Sequence, residues 1–339
     1  MNCSSLLPLL AALVTAVPLT AQETAPPGRE ILIVLGIPGI EEYAQRFRQT
    51  AETWKEAAER GKAQVTQIAG SVEDASALKA RIDALRAKPP EELWIILIGH
   101  GTFDGKQTKF AVNGPDFTDK DLAAWLKDFP RPVVVINGAS SSAPFLTSLA
   151  GPDRVVITAT KSAGEIYYAR FGEYFATAIS GDPEADLDND EQVSLLEAYL
   201  YASHKVEGFY TDEGRIATEH ALLDDNGDGK GARAEWFEGV RAVKSPDAKA
   251  TPDGERAQQL VLVPNAADAQ LSAEQRRHRD ALEQELRALA KERATIGEEA
   301  FYAKAETLLR QLAAISATVK EPGNSTGNGK PKPTSPRAP

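Results

Sequence analysis

Cysteine is almost missing from this sequence, since the one cysteine among the 339 residues is Cys3. Cys3 precedes an N-terminal apolar run typical of an export signal and lies inside the predicted signal, which the mature chain would lose. The mature chain would then have no disulfide and no thiolate metal site. Cysteine-dependent catalysis is therefore excluded for it.

Positive charge is also in short supply. The chain carries 38 Lys and Arg against 49 Asp and Glu, a formal net charge of -11. Proteins that bind nucleic acid concentrate Lys and Arg on one face, so no nucleic-acid partner is expected. With 42% hydrophobic and 26% charged residues, the composition is typical of a soluble globular protein.

The N-terminal apolar run extends from Leu6 to Ala21 and contains no charged residue. It is about 16 residues long, whereas a helix that spans a bilayer needs ~20, and Pro8 and Pro18 interrupt it. We predict a signal peptide over residues 1–21 and a periplasmic or extracellular protein with no stable membrane span. A single membrane anchor is the alternative.

Short apolar runs alternate with amphipathic segments from residue 31 to residue 160. Helical spacing of Tyr43, Phe47 and Trp54 predicts a helix after the first run, and Leu78 and Ile82 predict another after the second. Strands that alternate with helices indicate βαβ units and an open, mostly parallel sheet. The predicted strands are Ile31–Leu35, Ala63–Ile68, Leu93–Ile98, Val133–Ile136 and Val155–Thr160.

The rest of the chain divides by composition. Residues 171–240 have a helical pattern broken by two acidic loops, and residues 241–270, rich in Ala, Asp and Pro, are typical of a linker. Apolar spacing over residues 271–319, interrupted at Gly297, predicts a helical hairpin. Residues 320–339 are rich in Pro, Gly and Ser, which predicts a disordered tail.

Two of the predicted strands run into chemically useful residues at their carboxyl ends. One continues into "GHG", which places His100 and Gly101 just past the strand, and the other continues into "NGASSSA", which places Ser140 there. Ligands of open α/β sheets bind at this edge. If the strands are neighbours, His100 could act as a general base for Ser140, with a Gly101 N–H group as an oxyanion donor.

These motifs resemble the caspase–legumain group of cysteine peptidases, and the legumain-like branch most. A strand ending in His-Gly, then about forty residues, then a strand followed by Ala139 to Ala143 matches that family's pattern, and Arg154 to Glu165 resembles its next strand and loop. The resemblance covers about residues 31–240. It implies a caspase-like three-layer α/β sandwich with a mostly parallel sheet, to which the helical hairpin is added.

By the same resemblance, His100 matches the catalytic histidine, Gly101 the oxyanion donor and Ser140 the cysteine nucleophile. A serine needs its proton removed during attack, and only Asp104 and Glu165 suggest themselves as acids that orient His100. Two functions follow. The chain is either a non-catalytic relative that binds a peptide or protein partner, with Ser140 as a helix cap, or a peptidase that uses Ser140 and His100.

A different hydrolase pattern is a further alternative. "LIGHG" resembles the oxyanion segment of α/β-hydrolases, and "GASSS" approaches their nucleophile motif, although Ser142 replaces its last glycine. His204 or His220 would then supply the base.

Both acidic loops follow the spacing of EF-hand calcium loops, which surround a hard cation with oxygen ligands. The first has Glu191 where a glycine is usual, and the second has Gly231 where an aliphatic residue is usual. Calcium is therefore the one cofactor that the sequence suggests. The candidate ligands are Asp186, Asp188, Asp190 and Glu197 in the first loop, and Asp224, Asn226, Asp228 and Glu235 in the second.

Overall fold

The structure is a computed structural model that describes residues 28–246 and 251–319. The predicted signal peptide and tail lie outside the described residues. The strands are β1 (Arg29–Leu35), β2 (Gln64–Ile68), β3 (Glu92–Ile98), β4 (Gly101–Phe103), β5 (Thr108–Phe110), β6 (Phe117–Thr118), β7 (Val133–Asn137), β8 (Arg154–Thr158), β9 (Leu222–Asp224), β10 (Phe237–Glu238) and β11 (Arg241–Ala242). The α-helices are α1 (Glu41–Arg60), α2 (Asp74–Ala87), α3 (Asp119–Leu126), α4 (Ala143–Leu149), α5 (Phe171–Ile179), α6 (Leu195–Asp212), α7 (Ala273–Ile296) and α8 (Glu298–Ser316).

The main sheet has six strands in the order β2-β1-β3-β7-β8-β9. All neighbours pair in parallel except β9, which is antiparallel to β8. The predicted α/β sandwich with a mostly parallel sheet is confirmed. The sequence did not predict β9, because three residues beside an acidic loop give too short an apolar signal.

Helices cover both faces of this sheet. Along β1, Ile31 and Ile33 pack with α1, α5 and α6, whereas Leu32 and Val34 face α2, α3 and α4. Because successive strand residues point to opposite faces, a strand covered on both sides is apolar throughout. This double coverage produces the three layers.

Residues 251–270 contribute to the core, although the sequence suggested a linker. Ala257 and Leu262 are fully buried against the sheet domain, and Val261 forms an antiparallel bridge with Ser194. Helices α7 and α8 then pack on each other on either side of Gly297. Within the described ranges, no helix is both long and apolar enough to cross a bilayer.

Two buried aspartates join the second acidic loop to this later segment. The Asp225 carboxylate accepts hydrogen bonds from the N–H groups of Gly254, Arg256 and Ala257, each at 2.8 Å. In return, Asp253 Oδ1 accepts one from the Asp225 N–H at 3.0 Å. Burial raises the pKa of Asp225 in spite of these donors, so the carboxylate costs desolvation energy that the N–H groups, and then the charge of Arg256, offset in part.

Replacing Asp225 should therefore destabilise the chain. Asp225→Ala leaves three N–H groups without their acceptor, and we expect the free energy of unfolding to fall by about 3 kcal/mol. Asp83→Ala removes an exposed aspartate paired with Lys79 and serves as the control, with a loss below about 1 kcal/mol. Urea titration monitored by circular dichroism measures both losses, and equal losses would contradict this role for Asp225.

Glu219 fixes the start of α5 in a similar way. It is 2% exposed, and its carboxylate accepts hydrogen bonds from the N–H groups of Arg170 and Phe171 at 2.8 and 3.0 Å. A carboxylate at a helix N-terminus is favourable electrostatically. Burial nevertheless raises the pKa of Glu219 from 4.5 to about 7, because desolvation of the charge outweighs these donors.

A raised carboxyl pKa makes stability depend on pH. The contribution of Glu219 is fully present below pH 4.5 and is lost as the pH rises through about 7. We expect the difference in unfolding free energy between wild type and Glu219→Gln to fall by up to about 3 kcal/mol between about pH 4.5 and about pH 8. Denaturant titrations across this range test it, with Glu207→Gln on exposed α6 surface as the control. A pH-independent difference would show that Glu219 is ionised throughout.

Candidate functional site

The carboxyl ends of β3 and β7 bring His100, Gly101 and Ser140 together. The two strands are neighbours, with Leu97 opposite Asn137, so the predicted convergence of their loops is confirmed. Gly101 donates its N–H to Ser140 Oγ at 3.2 Å, and Ser140 Oγ donates its proton to the Gly101 carbonyl at 3.0 Å. A Cβ atom at position 101 would lie 1.9 Å from the Ser140 carbonyl oxygen, so only glycine permits this approach.

The Ser140 hydroxyl is thus engaged by one backbone unit in both directions. Ser140 is 4% exposed, and the expectation that it caps the next helix is wrong, because α4 begins at Ala143 with Ser142 at its N-cap position. The reason is geometric, since Ser140 lies on the turn that faces Gly101 before the chain enters the helix. Its Oγ makes no hydrogen bond with the His100 ring.

The other two serines of this turn are fully buried. Ser141 has a φ of 53°, a left-handed conformation that is unusual for a residue other than glycine, and its Oγ has no hydrogen-bond partner. Its N–H donates to the Glu165 carbonyl at 2.8 Å. Ser142 Oγ pairs with Thr160 Oγ1 at 3.1 Å. Neither hydroxyl is accessible to a substrate in this conformation.

His100 is oriented by a backbone carbonyl. Its Nε2 lies 3.2 Å from the Pro38 oxygen, and because a carbonyl only accepts, Nε2 carries the proton and Nδ1 is left as the basic nitrogen. Three aromatic rings surround the imidazole, with centroids 4.9 Å away for Tyr43, 5.2 Å for Phe47 and 5.9 Å for Tyr168. These contacts hold the ring in one orientation.

Neither acid suggested by the sequence orients His100. Asp104 accepts hydrogen bonds from the backbone of its own turn, at Lys106 and Gln107. The Glu165 carboxylate accepts one from His220 instead, with 2.6 Å between Oε1 and Nδ1. Both assignments are wrong, because the Asp104 carboxylate is engaged by the backbone of its own hairpin turn and the Glu165 carboxylate is engaged by His220.

The pair formed by Glu165 and His220 was missed by sequence reasoning. The two residues are 55 positions apart, and only the antiparallel pairing of β9 with β8 brings them together. His220 borders a groove of about 830 Å³, together with His204 and Glu219. Strand β8 lies between β7 and β9, and the Ser140 hydroxyl bonds the backbone of Gly101 rather than the His220 ring, so the hydrogen bond that the α/β-hydrolase alternative requires is not made.

Exposed large apolar side chains lie on the loops at the carboxyl edge of the sheet, the edge at which His100 lies. We call these side chains the rim and the space beside His100 the crevice. Large apolar side chains at the carboxyl edge of the sheet normally pack inward, so several exposed ones together suggest a contact surface. Charged groups nearby are already paired, Glu41 with Arg48 at 2.7 Å and Asp104 with Lys109 at 3.8 Å. The rim residues, which follow β1, β2, β3 and β8, are Ile37, Ile40, Val72, Phe103, Ile166 and Tyr167, exposed by between 40% and 75%.

A larger groove, about 860 Å³, lies at the opposite end of the strands, beside α7. Two of its arginines are paired with acids, Arg29 with Glu92 at 2.9 Å and Arg256 with Asp153 at 3.1 Å. These ion pairs join segments of the fold. The chemistry of the carboxyl edge does not extend there.

The first acidic loop brings its carboxylates together. Oxygens of Asp186, Asp188 and Asp190 lie within 4.8 Å of one another. Burial, and then the charges of Glu197 and the two neighbouring aspartates, raise the pKa of Asp188 to about 6. Glu191 adopts a φ of 66°, so the loop makes its sharp turn without the usual glycine. This donor set fits a hard divalent cation.

The second acidic loop is arranged differently. Asp224 accepts hydrogen bonds from the N–H groups of Gly227 and Gly229, both at 2.8 Å, and Asn226 and Asp228 also accept N–H groups within the loop. The Glu235 side chain is 65% exposed and pairs with Arg233 at 3.5 Å. The predicted ligands Asp224, Asn226 and Asp228 therefore lie in one compact turn. The fourth predicted ligand, Glu235, pairs with Arg233 instead of joining them.

Comparisons with known proteins give a limited result. No protein-family model and no curated protein matches the chain. Among solved structures, the Drosophila initiator caspase Dronc matches with 11% identity and a TM-score of 0.38, over 61% of this chain and 82% of that one. Caspase-1 from Spodoptera frugiperda matches with 9% identity and a TM-score of 0.40, over 59% and 87%. At these scores no inference about activity or substrate rests on the similarity.

Proposed function

We propose that this chain is an exported, non-catalytic relative of legumain-like peptidases that binds a peptide or protein in the crevice beside His100. The observation that carries the proposal is the reciprocal hydrogen bonding between Ser140 Oγ and the backbone of Gly101. The proton that a base would have to remove is donated to a carbonyl. The N–H that would stabilise an oxyanion is donated to the same hydroxyl.

Converting this arrangement into an active site would require a rearrangement. Ser140 would have to break both hydrogen bonds and turn toward His100, and each such bond is worth about 1 kcal/mol in a protein. Serine also lacks the low pKa that activates a cysteine thiolate. The resting geometry therefore supports binding over catalysis.

The rim supports a peptide or protein as the bound partner. A surface with several exposed apolar side chains and paired charges favours an apolar segment over a charged small molecule. Export is supported by the apolar N-terminus.

A serine peptidase is the second candidate, and one observation favours it. Pro38 holds the proton of His100 on Nε2, which leaves Nδ1 free to act as a general base. Gly101 already directs an N–H group at the Ser140 hydroxyl. If Ser140 turned, it could attack a peptide carbonyl, with Nδ1 accepting its proton.

Cleavage and retention of peptides separate these functions. Residues 22–339 would be incubated with calcium and a proteome-derived peptide library, and cleaved and retained peptides would be read by mass spectrometry. For wild type we expect retention without cleavage, unchanged in Ser140→Ala.

Cleavage by wild type that Ser140→Ala abolishes would establish the peptidase instead. Activity in Ser140→Cys alone, lost again when His100→Ala is added, would show that the crevice retains catalytic geometry and lacks only the thiol. Neither retention nor cleavage in any variant would overturn both functions.

We also propose that the first acidic loop binds calcium as a structural ion. The crowding of Asp186, Asp188 and Asp190 and the raised pKa of Asp188 support this, because a divalent cation would relieve their mutual repulsion. Glu197 lies in the first turn of α6, and its carboxylate accepts the N–H groups of Leu187 and Asp188, so a bound ion would brace the loop against that helix.

Calcium should therefore raise thermal stability. In about 5 mM calcium relative to chelator, we expect the melting temperature to rise by about 3 °C. Asp188→Asn should remove most of the rise, and Asp83→Asn, outside both loops, should not. Loss of the rise in Asp224→Asn alone would assign the ion to the second loop, and no rise in wild type would contradict calcium binding. Differential scanning calorimetry measures these shifts.

A further inference from the structure

Strand β4 has a partner on one side only. The small sheet has the order β4-β5-β6, and β4 pairs with β5 through Gly101, Thr102 and Phe103. Its other edge is not paired with any strand of the described ranges. This edge begins directly after His100, at the crevice.

The register shows which backbone groups face the open side. The His100 carbonyl accepts from the Ala111 N–H at 2.9 Å, and the Asp104 N–H donates to the Gln107 carbonyl at 3.3 Å. In an antiparallel pair, alternate residues exchange such bonds, so Thr102 also bonds to β5. The N–H and C=O groups of Gly101 and Phe103 therefore point away from β5.

The outward-facing N–H and C=O groups of Gly101 and Phe103 differ in their hydrogen-bond partners. Both groups of Gly101 are bonded to Ser140 Oγ, as described above, so the hydroxyl occupies the place of a neighbouring strand. Within the described residues, the N–H and C=O of Phe103 have no hydrogen-bond partner. Phe103 is 40% exposed, and these free groups lie two residues from the crevice.

We propose that an extended peptide adds to this edge as a further strand and forms two main-chain hydrogen bonds with Phe103. The inference rests on the proposed function and specifies the form of the partner. Addition of a strand to an exposed edge is a general mode of peptide recognition. Because β4 has only three residues, the edge is too short to drive unspecific association, and rim contacts must add affinity.

The surroundings indicate the chemistry of the peptide. Asp104 and Lys109 neutralise each other on the β4 hairpin, and Glu41 and Glu42 at the start of α1 pair with Arg48 and Arg46. The Phe103 backbone and the apolar rim offer main-chain and apolar contacts, and on the described part of the hairpin Lys106 is an exposed lysine without an ion pair. The structure therefore favours a segment without added positive charge in which apolar side chains alternate along the strand.

A proline substitution tests the main-chain bonds directly. Random decapeptides displayed on phage would be selected on wild type, and the enriched peptides would be synthesised and titrated by fluorescence anisotropy. Phe103→Pro removes the N–H and the ring, whereas the matched control Phe103→Ala removes only the ring. Proline is tolerated on edge strands where its nitrogen faces outward, so the fold should survive.

We expect Phe103→Pro to bind five- to tenfold more weakly than Phe103→Ala, the effect of one hydrogen bond. As a second readout that needs no variant, hydrogen exchange of the Phe103 amide in wild type should slow when peptide is bound. Peptides that bind wild type, bind both variants equally and leave that amide unprotected would overturn the edge-strand proposal and retain the binding function. Failure to enrich any peptide would overturn both proposals.

Discussion

The parallel pairing of β3 with β7 is the constraint on which the candidate site depends. Both strands are apolar along nearly their whole length because helices cover both faces of the sheet, and their register is fixed from Leu93 opposite Val133 to Leu97 opposite Asn137. Parallel strands end at the same edge, so the loops that follow must meet. A glycine at position 101 lets them meet closely enough for a side-chain hydroxyl to bond the opposite backbone. The engagement of the Ser140 hydroxyl follows from that approach.

The sequence predicted the features of the fold and the site that depend on local patterns, and it did not predict individual hydrogen bonds between residues that are distant along the chain. Continuous apolar runs and helical spacing predicted β1, β3, α1 and α2, because burial acts through local pattern. The meeting of His100 with the serine turn followed from strand adjacency. The hydrogen-bond partner of Ser140 could not be predicted from strand adjacency, since it depends on the path of a turn to within an ångström. The pairing of Glu165 with His220 could not be predicted either, because the three-residue strand β9 positions His220.

Carboxylates have a role in this fold that their composition does not reveal. The sequence directs attention to the acidic residues as metal ligands and as the source of a negative surface. In the structure, several of them are buried and accept hydrogen bonds from backbone N–H groups that have no partner in a helix or strand. Glu219 accepts such bonds at the start of α5, and Asp225 accepts them from Gly254 and Arg256. Part of the second half of the chain is therefore held by carboxylate hydrogen bonds, which leave no apolar periodicity in the sequence. These contacts could not be predicted from the sequence for that reason.

The burial of Leu262 and its bridge-forming neighbour Val261 has a consequence for how this chain could have been assembled. Residues 28–246 contain the sheet but not all of its core, to which Ala257 and Leu262 also belong. A gene fragment that ended at residue 246 would encode a domain with an unfilled space where Leu262 packs. The hairpin is therefore joined to the sheet through a segment that is itself part of the core.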